Sequence, residues 1–177
     1  MMNGPMLQTL LEERFQLTLH RERRQAPVFA LTKTRKSTRL KSFQQGSCTP
    51  VDYAQNPPPR QPGGPPFCQN KIQSKGANER AVHVPAATLP AFADFLGVVL
   101  GRPVIDRTGI SGRFDFDLEF ALDQSTPGFV PDDTSASSVE GPSVVTAIQE
   151  QTGLKLESTK GPVEFLVIDR VRMPSEN

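Results

Sequence analysis

Leu7-Gln-Thr-Leu-Leu-Glu-Glu-Arg-Phe15-Gln-Leu-Thr-Leu19 changes its hydrophobic period in mid-run. From Met6 to Arg14, the residues Leu7, Leu10, Leu11 and Arg14 recur at helical spacing, and Glu12 and Glu13 fall on the other side. From Phe15 the spacing becomes two. Phe15, Leu17 and Leu19 alternate with Gln16, Thr18 and His20, the pattern of a half-buried strand, and Pro27-Val-Phe-Ala-Leu31 beyond a short charged turn is expected as its antiparallel partner. This helix-strand-strand unit returns near the C-terminus. Thr9, Leu11, Glu13, Leu17 and Leu19 align at one fixed offset with Thr146, Ile148, Glu150, Leu154 and Leu156. With two residues dropped in the turn, Pro27-Val28 meets Pro162-Val163. Either copy alone leaves its apolar strand face bare, so together they predict an α+β fold: one antiparallel sheet with about three helices packed on one face.

The third helix lies between the copies. Thr88 is placed to cap it, Pro90 is tolerated in its first turn, and Phe92, Phe95, Leu96, Val99 and Leu100 form the apolar stripe. Gly101 suits a left-handed exit. Ala81-Val-His-Val84 reads as a short strand before it. Pro103-Val-Ile105 leads into a turn at Asp106-Arg-Thr-Gly109, and Arg113 to Phe120 is the clearest strand in the chain. Ser143 is the expected cap of the last helix, which Gly153 closes.

At 177 residues, with 36% hydrophobic and 22% charged residues, the chain has the dimensions of one soluble domain. The expected organisation is a single α+β domain over 1–177, with a Pro/Gly-rich loop insertion at 43–78 and an acidic loop at 121–141. No apolar run is long enough to span a bilayer as a helix. The start, Met-Met-Asn-Gly-Pro5, lacks the basic flank and apolar core of a signal peptide, so either the protein is cytosolic or an exporting segment lies outside this chain. Residues 1–41 carry nine Lys or Arg against three acids, whereas residues 115–140 carry seven acids and no base. The basic arm has no aromatic interleaving and no nucleic-acid motif, so mutual neutralisation is expected rather than nucleic-acid binding.

Cys48 and Cys68 flank a stretch in which seven of the 17 prolines fall between Pro50 and Pro66. Such a segment cannot be regular helix or strand. A disulfide would close a loop of about 20 residues, worth roughly 3 kcal/mol in chain entropy, and would place the protein in an oxidising compartment; two free thiols in a cytosolic loop are the alternative. The two histidines, His20 and His83, are not paired at zinc-ligand spacing.

Three positions invite chemistry. In Phe114-Asp-Phe-Asp-Leu-Glu-Phe120, period two sends Phe114, Phe116, Leu118 and Phe120 to the core and stands Asp115, Asp117 and Glu119 in a row on the opposite face. With Asp123, Asp132 and Asp133 beyond, this row offers oxygen ligands to a hard cation such as calcium; the plainer reading pairs it with Lys or Arg on a neighbouring strand. Asp106 sits in a turn between glycines, as a general acid or base, as a ligand, or as a side chain bonding the amides two residues on. His83 and His20 point away from the core, where either is a candidate general base or an ordinary surface residue. No nucleophile elbow, histidine-rich metal cluster or phosphate loop occurs, so any hydrolytic site is assembled from residues distant in sequence.

Gly101-Arg-Pro-Val-Ile-Asp106-Arg-Thr-Gly109, Gly112-Arg-Phe-Asp-Phe-Asp-Leu-Glu-Phe120, Glu150-Gln-Thr-Gly-Leu-Lys-Leu-Glu157, Pro162-Val-Glu-Phe-Leu-Val-Ile-Asp169 and the early Leu10-Leu-Glu-Glu-Arg-Phe-Gln-Leu-Thr-Leu-His-Arg-Glu22 resemble a paralogous family of uncharacterised proteins in soil Acidobacteria such as Solibacter. The resemblance covers nearly the whole chain apart from the Pro-rich and acidic loops. Its members usually carry an exported N-terminal region and a strand-helix portion ahead of the point where this chain starts. That implies a periplasmic or secreted protein, and an unpaired sheet edge here that favours homodimerisation. The strand-helix-strand pattern from Ala81 onward resembles the small N-terminal modules of secretins and TonB-dependent receptors, which implies an envelope protein partner. The family resemblance also implies a hydrolase opening N-acylhomoserine lactones, the quorum-quenching reaction, with help from calcium. In that reading Asp115, Asp117 and Glu119 hold the metal, and Asp106 or His83 takes the proton from water attacking the ester. A non-catalytic envelope binding module is the alternative; it expects an exposed sheet edge or apolar patch.

Overall fold

A computed structural model describes residues 5–35, 37–51, 62–76, 78–129 and 141–173. Its elements in chain order are α1 (Pro5–Phe15), β1 (Thr18–Lys33), β2 (Lys41–Ser42), β3 (Lys71–Ser74), β4 (Glu79–Ala87), α2 (Leu89–Leu100), β5 (Val104–Asp106), β6 (Phe114–Ala121), α3 (Val144–Ala147) and β7 (Leu154–Arg170). A π-helical turn, Ile148–Thr152, continues α3. The α+β class stands. The strands are distributed over two sheets, β5-β1-β7 and β2-β6-β4-β3. The second is antiparallel in its registered pairs; the first includes a parallel pair, with Phe29, Ala30 and Leu31 of β1 beside Val104, Ile105 and Asp106 of β5. Contacts group the chain into two compact units, 27–159 and 1–26 with 160–177, whose boundary falls inside β1 and β7.

Unit 27–159 holds the core. Phe92, Leu96 and Val99 of α2 are buried with Val82, Val84, Phe116, Leu118 and Phe120 of the antiparallel sheet and with Val144, Ile148 and Leu154. The Phe92 and Phe116 rings stack with centroids 3.7 Å apart. The helix ends are those expected: Ala91 N donates to Thr88 Oγ1 at 3.3 Å, and Gly101 exits with φ +60°. Ser143 Oγ accepts from Thr146 N at 3.2 Å. Gly153 is needed twice over, because its φ is +72° and a Cβ there would lie 2.9 Å from Ser37 O. Arg102 ties the β1-β7 sheet to the end of α2: its Nη2 donates to Val28 O and Ser158 Oγ, and its guanidinium lies 4.4 Å from the Phe29 ring centre.

In the other unit, α1 leads into the first half of β1, and Arg172 N donates to Phe15 O at 2.8 Å. Both expected hairpins are corrected here. The segment from Leu19 to Leu31 does not turn back; it is one strand, and so is the segment from Leu154 to Ile168. His20-Arg-Glu-Arg-Arg-Gln-Ala26 contains no Gly, Asn or Asp to take the positive φ of a tight hairpin turn. Each strand instead finds its partner in the other copy, so the repeat is helix-strand, and the two long strands neighbour one another. Pro103-Val-Ile105 is also more than a lead into a turn, since β5 docks in parallel on β1.

Candidate functional site

Strand β6 places its side chains as its period requires: Phe116, Leu118 and Phe120 are buried, Asp117 and Glu119 are exposed and Asp115 is half-buried. Each acid meets a different partner. Lys41 Nζ on β2 lies 2.9 Å from Asp117 Oδ2, and His83 Nδ1 on β4 lies 2.6 Å from Asp117 Oδ1. Lys75 Nζ, just past β3, lies 2.8 Å from Glu119 Oε1. Lys41, with His83 assisting, holds the Asp117 carboxyl below its usual range, while Asp117 raises the Lys41 ammonium and Glu119 that of Lys75. The Lys41 contact joins the last residue of the basic segment to the acidic one, whereas His20 and Arg21 pair with Asp169 and Glu164.

Asp115 does something else. Its Oδ1 accepts from the backbone N of Ala86 at 2.9 Å, and Arg113 Nη1 donates to Ala86 O at 2.8 Å. Ala86 is buried with φ +56°, in the left-handed region, where the β4–β6 register shifts between Val84 and Ala87. Asp115 and Arg113 therefore pin a bulge. Lys41, His83, Lys75 and the Ala86 amide thus engage oxygens of all three acids, and no group of three or more His, Cys, Asp or Glu among the described residues is arranged to hold a metal. Asp123 likewise bonds locally, accepting from Ser125 N at 2.7 Å. Asp132 and Asp133 lie outside the described residues.

Asp106, at the end of β5, accepts from Thr108 N at 2.8 Å, a local turn bond to the amide two residues on. The residue that meets His83 is Asp117, on the adjacent strand. The pair borders an open groove of about 220 Å³ lined by Lys71, Gln73, Lys75, Val82 and Glu119 among others. On this face Gln151 went unforeseen. Its amide donates to Glu119 O at 2.8 Å and accepts from Glu119 N at 2.9 Å, so a side chain occupies the place of a strand along this part of β6. Nothing in the local pattern around Gln151 marks it, because its partner is 32 residues away.

A different surface belongs to the unit formed by 1–26 and 160–177. No strand flanks β7 on the side away from β1 among the described residues. Along and just beyond this edge strand, Leu166, Ile168, Val171 and Met173 are 62%, 63%, 60% and 93% exposed, and Phe165 is 39% exposed. His20 is paired with Asp169 at 2.8 Å, and Arg21 with Glu164.

A family model described as "Protein of unknown function (DUF3738)" matches residues 2–171. The chain belongs to this family. No curated protein and no solved structure matches the chain. In this DUF3738 protein Cys48 and Cys68 form a disulfide, with Cα atoms 5.0 Å apart. Thr49 N donates to Pro66 O at 2.8 Å and Cys68 N to Thr49 O at 2.9 Å, so backbone bonds close the base of the Pro-rich loop beside the bridge. Among the described residues of the DUF3738 chain, no helix is long and apolar enough to cross a membrane.

Proposed function

We propose that this protein is a non-catalytic binding module of the bacterial envelope or the extracellular space, which meets its partner through the outer edge of β7. The carrying observation is the set of exposed apolar side chains from Phe165 to Met173, along and just beyond a strand with no outer neighbour among the described residues. Isolated exposed apolar residues are ordinary, but a run of them on an unpaired edge is a template for strand addition. The disulfide supports an oxidising compartment. The likeness of the region from Ala81 onward to envelope-receptor modules supports the same placement.

One observation favours a second reading, a lactone hydrolase. Asp117 on His83 Nδ1 is the arrangement that orients an imidazole, leaving Nε2 to accept a proton from water attacking an ester carbonyl over the groove. This version uses His83 as base and Asp117 as the residue positioning it, with Asp106 in its turn and no step through calcium. The two readings separate in one assay. Purified protein is incubated with an N-acylhomoserine lactone near neutral pH, with calcium or with chelator, and ring opening is followed by mass spectrometry against a protein-free control. The binding module opens the lactone no faster than the control. Opening above the control that disappears in His83→Ala overturns it in favour of the hydrolase.

A further inference from the structure

We infer that the partner at the β7 edge is a second copy of this chain, joined to the first by antiparallel pairing of residues 164–170 about a two-fold axis at Val167. The inference rests on reading that edge as the binding surface. It comes from the order of residues along the strand.

Two identical strands side by side and antiparallel are related by an axis perpendicular to the sheet, so directly opposed residues must share a face and the axis must pass through a residue. Glu164-Phe-Leu-Val-Ile-Asp-Arg170 has alternate faces Glu164, Leu166, Ile168, Arg170 and Phe165, Val167, Asp169. With the axis at Val167, Glu164 faces Arg170 of the other copy and Leu166 faces Ile168 on one face, Phe165 faces Asp169 on the other, and symmetry makes each pair twice. On the first face opposed charges flank an apolar centre. Moving the axis to Leu166 sets Glu164 against Ile168 and Val163 against Asp169, and moving it to Ile168 sets Leu166 against Arg170 and Val167 against Asp169, so each neighbouring register opposes charge to hydrocarbon in two pairs where the Val167 register does so in one. The Val167 register is the one that matches charge to charge and hydrocarbon to hydrocarbon along the whole Glu164–Arg170 face.

The flanks agree with it. Pro162, which has no N–H to give to a ladder, falls outside the seven paired residues. Leu166 and Ile168, the side chains this register brings together, are among the most exposed large apolar residues of the molecule. Glu164 also meets Arg21 of β1 in its own chain, so in the pair it lies between two arginines.

Cysteine cross-linking of the full chain tests the register. Both native cysteines are consumed in the disulfide, so an introduced thiol is the only one available. Opposed Cα atoms in an antiparallel pair lie about 4.5–5.5 Å apart, within disulfide reach. Val167→Cys is therefore expected to give a disulfide-linked dimer on mild oxidation. Phe165→Cys, whose counterpart lies four residues along at roughly 13 Å, is expected to remain monomeric. Sedimentation over a concentration series is expected to show a monomer–dimer equilibrium for the unmodified protein, loss of dimer in Arg170→Glu and in Glu164→Arg, and its return in the double reversal. Circular dichroism checks that each variant is folded. A protein monomeric throughout the series, equal cross-linking at 165 and 167, or a double reversal that stays monomeric overturns the inference. Those results leave the binding-module reading intact, because that reading stands or falls on the lactone assay.

Discussion

Removing Asp115 is expected to cost far more than removing Asp117, although the two acids stand two residues apart on one strand. Asp115 accepts from the amide of buried Ala86 at 2.9 Å, a bond to a charged acceptor worth about 1.5–3 kcal/mol. It also helps hold Ala86 at φ +56°, a conformation that costs an L-residue about 1–2 kcal/mol. Asp115→Ala leaves the amide without its acceptor and the bulge without one of its two pins. The expected loss is about 2–3 kcal/mol, which for a chain of this length lowers the melting temperature by roughly 5–10 °C. Asp117 makes ion pairs with half-exposed or exposed partners, so Asp117→Ala is expected to cost less than about 1 kcal/mol. Ala86→Gly, which costs about 0.5–1 kcal/mol in an ordinary strand, should be neutral or stabilising here. Urea denaturation of the three variants, followed by circular dichroism, measures all of this. Equal losses for the two aspartates, or a normal strand penalty for Ala86→Gly, would refute the assignment of Asp115 to the bulge.

Gly153→Ala places a Cβ 2.9 Å from Ser37 O at φ +72°, and thermal melting is expected to show a loss of about 2 kcal/mol or more from backbone strain and crowding. Reducing the Cys48–Cys68 bridge releases a 20-residue separation, and the chain-entropy contribution of roughly 3 kcal/mol should appear as a lower urea midpoint in the presence of reductant. The folded Asp117 carboxyl lies below its unfolded value, so its contribution is present above about pH 4 and is lost as the pH falls through the folded value. Asp117→Asn should therefore flatten the acid limb of the stability–pH curve by under about 1 kcal/mol, read from urea midpoints at successive pH values.

The fold was legible wherever a pattern was local. Thr88, Pro90 and Gly101 bracket α2 because caps and exits are decided within a turn, and β6 declared itself because alternating Phe and acid permit only one orientation on a core. The hairpins were misread because the charged run before Pro27, and its counterpart before Pro162, look like turns. Whether a strand continues past such residues depends on the neighbour beside it, and β1 and β7 supply each other. The acidic row was legible as a row. Its partners were not, because Lys41, Lys75 and His83 reach it from three other parts of the chain and register is set by the whole sheet. The role of Asp115 was hidden for the same reason: Pro85, with no N–H for a ladder, marks an irregularity beside Ala86 but does not say which acid pins it.

Whether the carboxylates of β6 hold bases or a cation decides between the ion-paired face described above and the calcium-assisted site that the family resemblance implies. Titration calorimetry of chelator-washed protein with calcium measures it. With Asp117 and Glu119 paired to Lys41, His83 and Lys75, and Asp115 bonded to Ala86, the expected result is no heat beyond dilution. A saturable calcium isotherm that vanishes in Asp117→Asn would contradict the ion-paired face and return the acidic strand to the centre of a metal site.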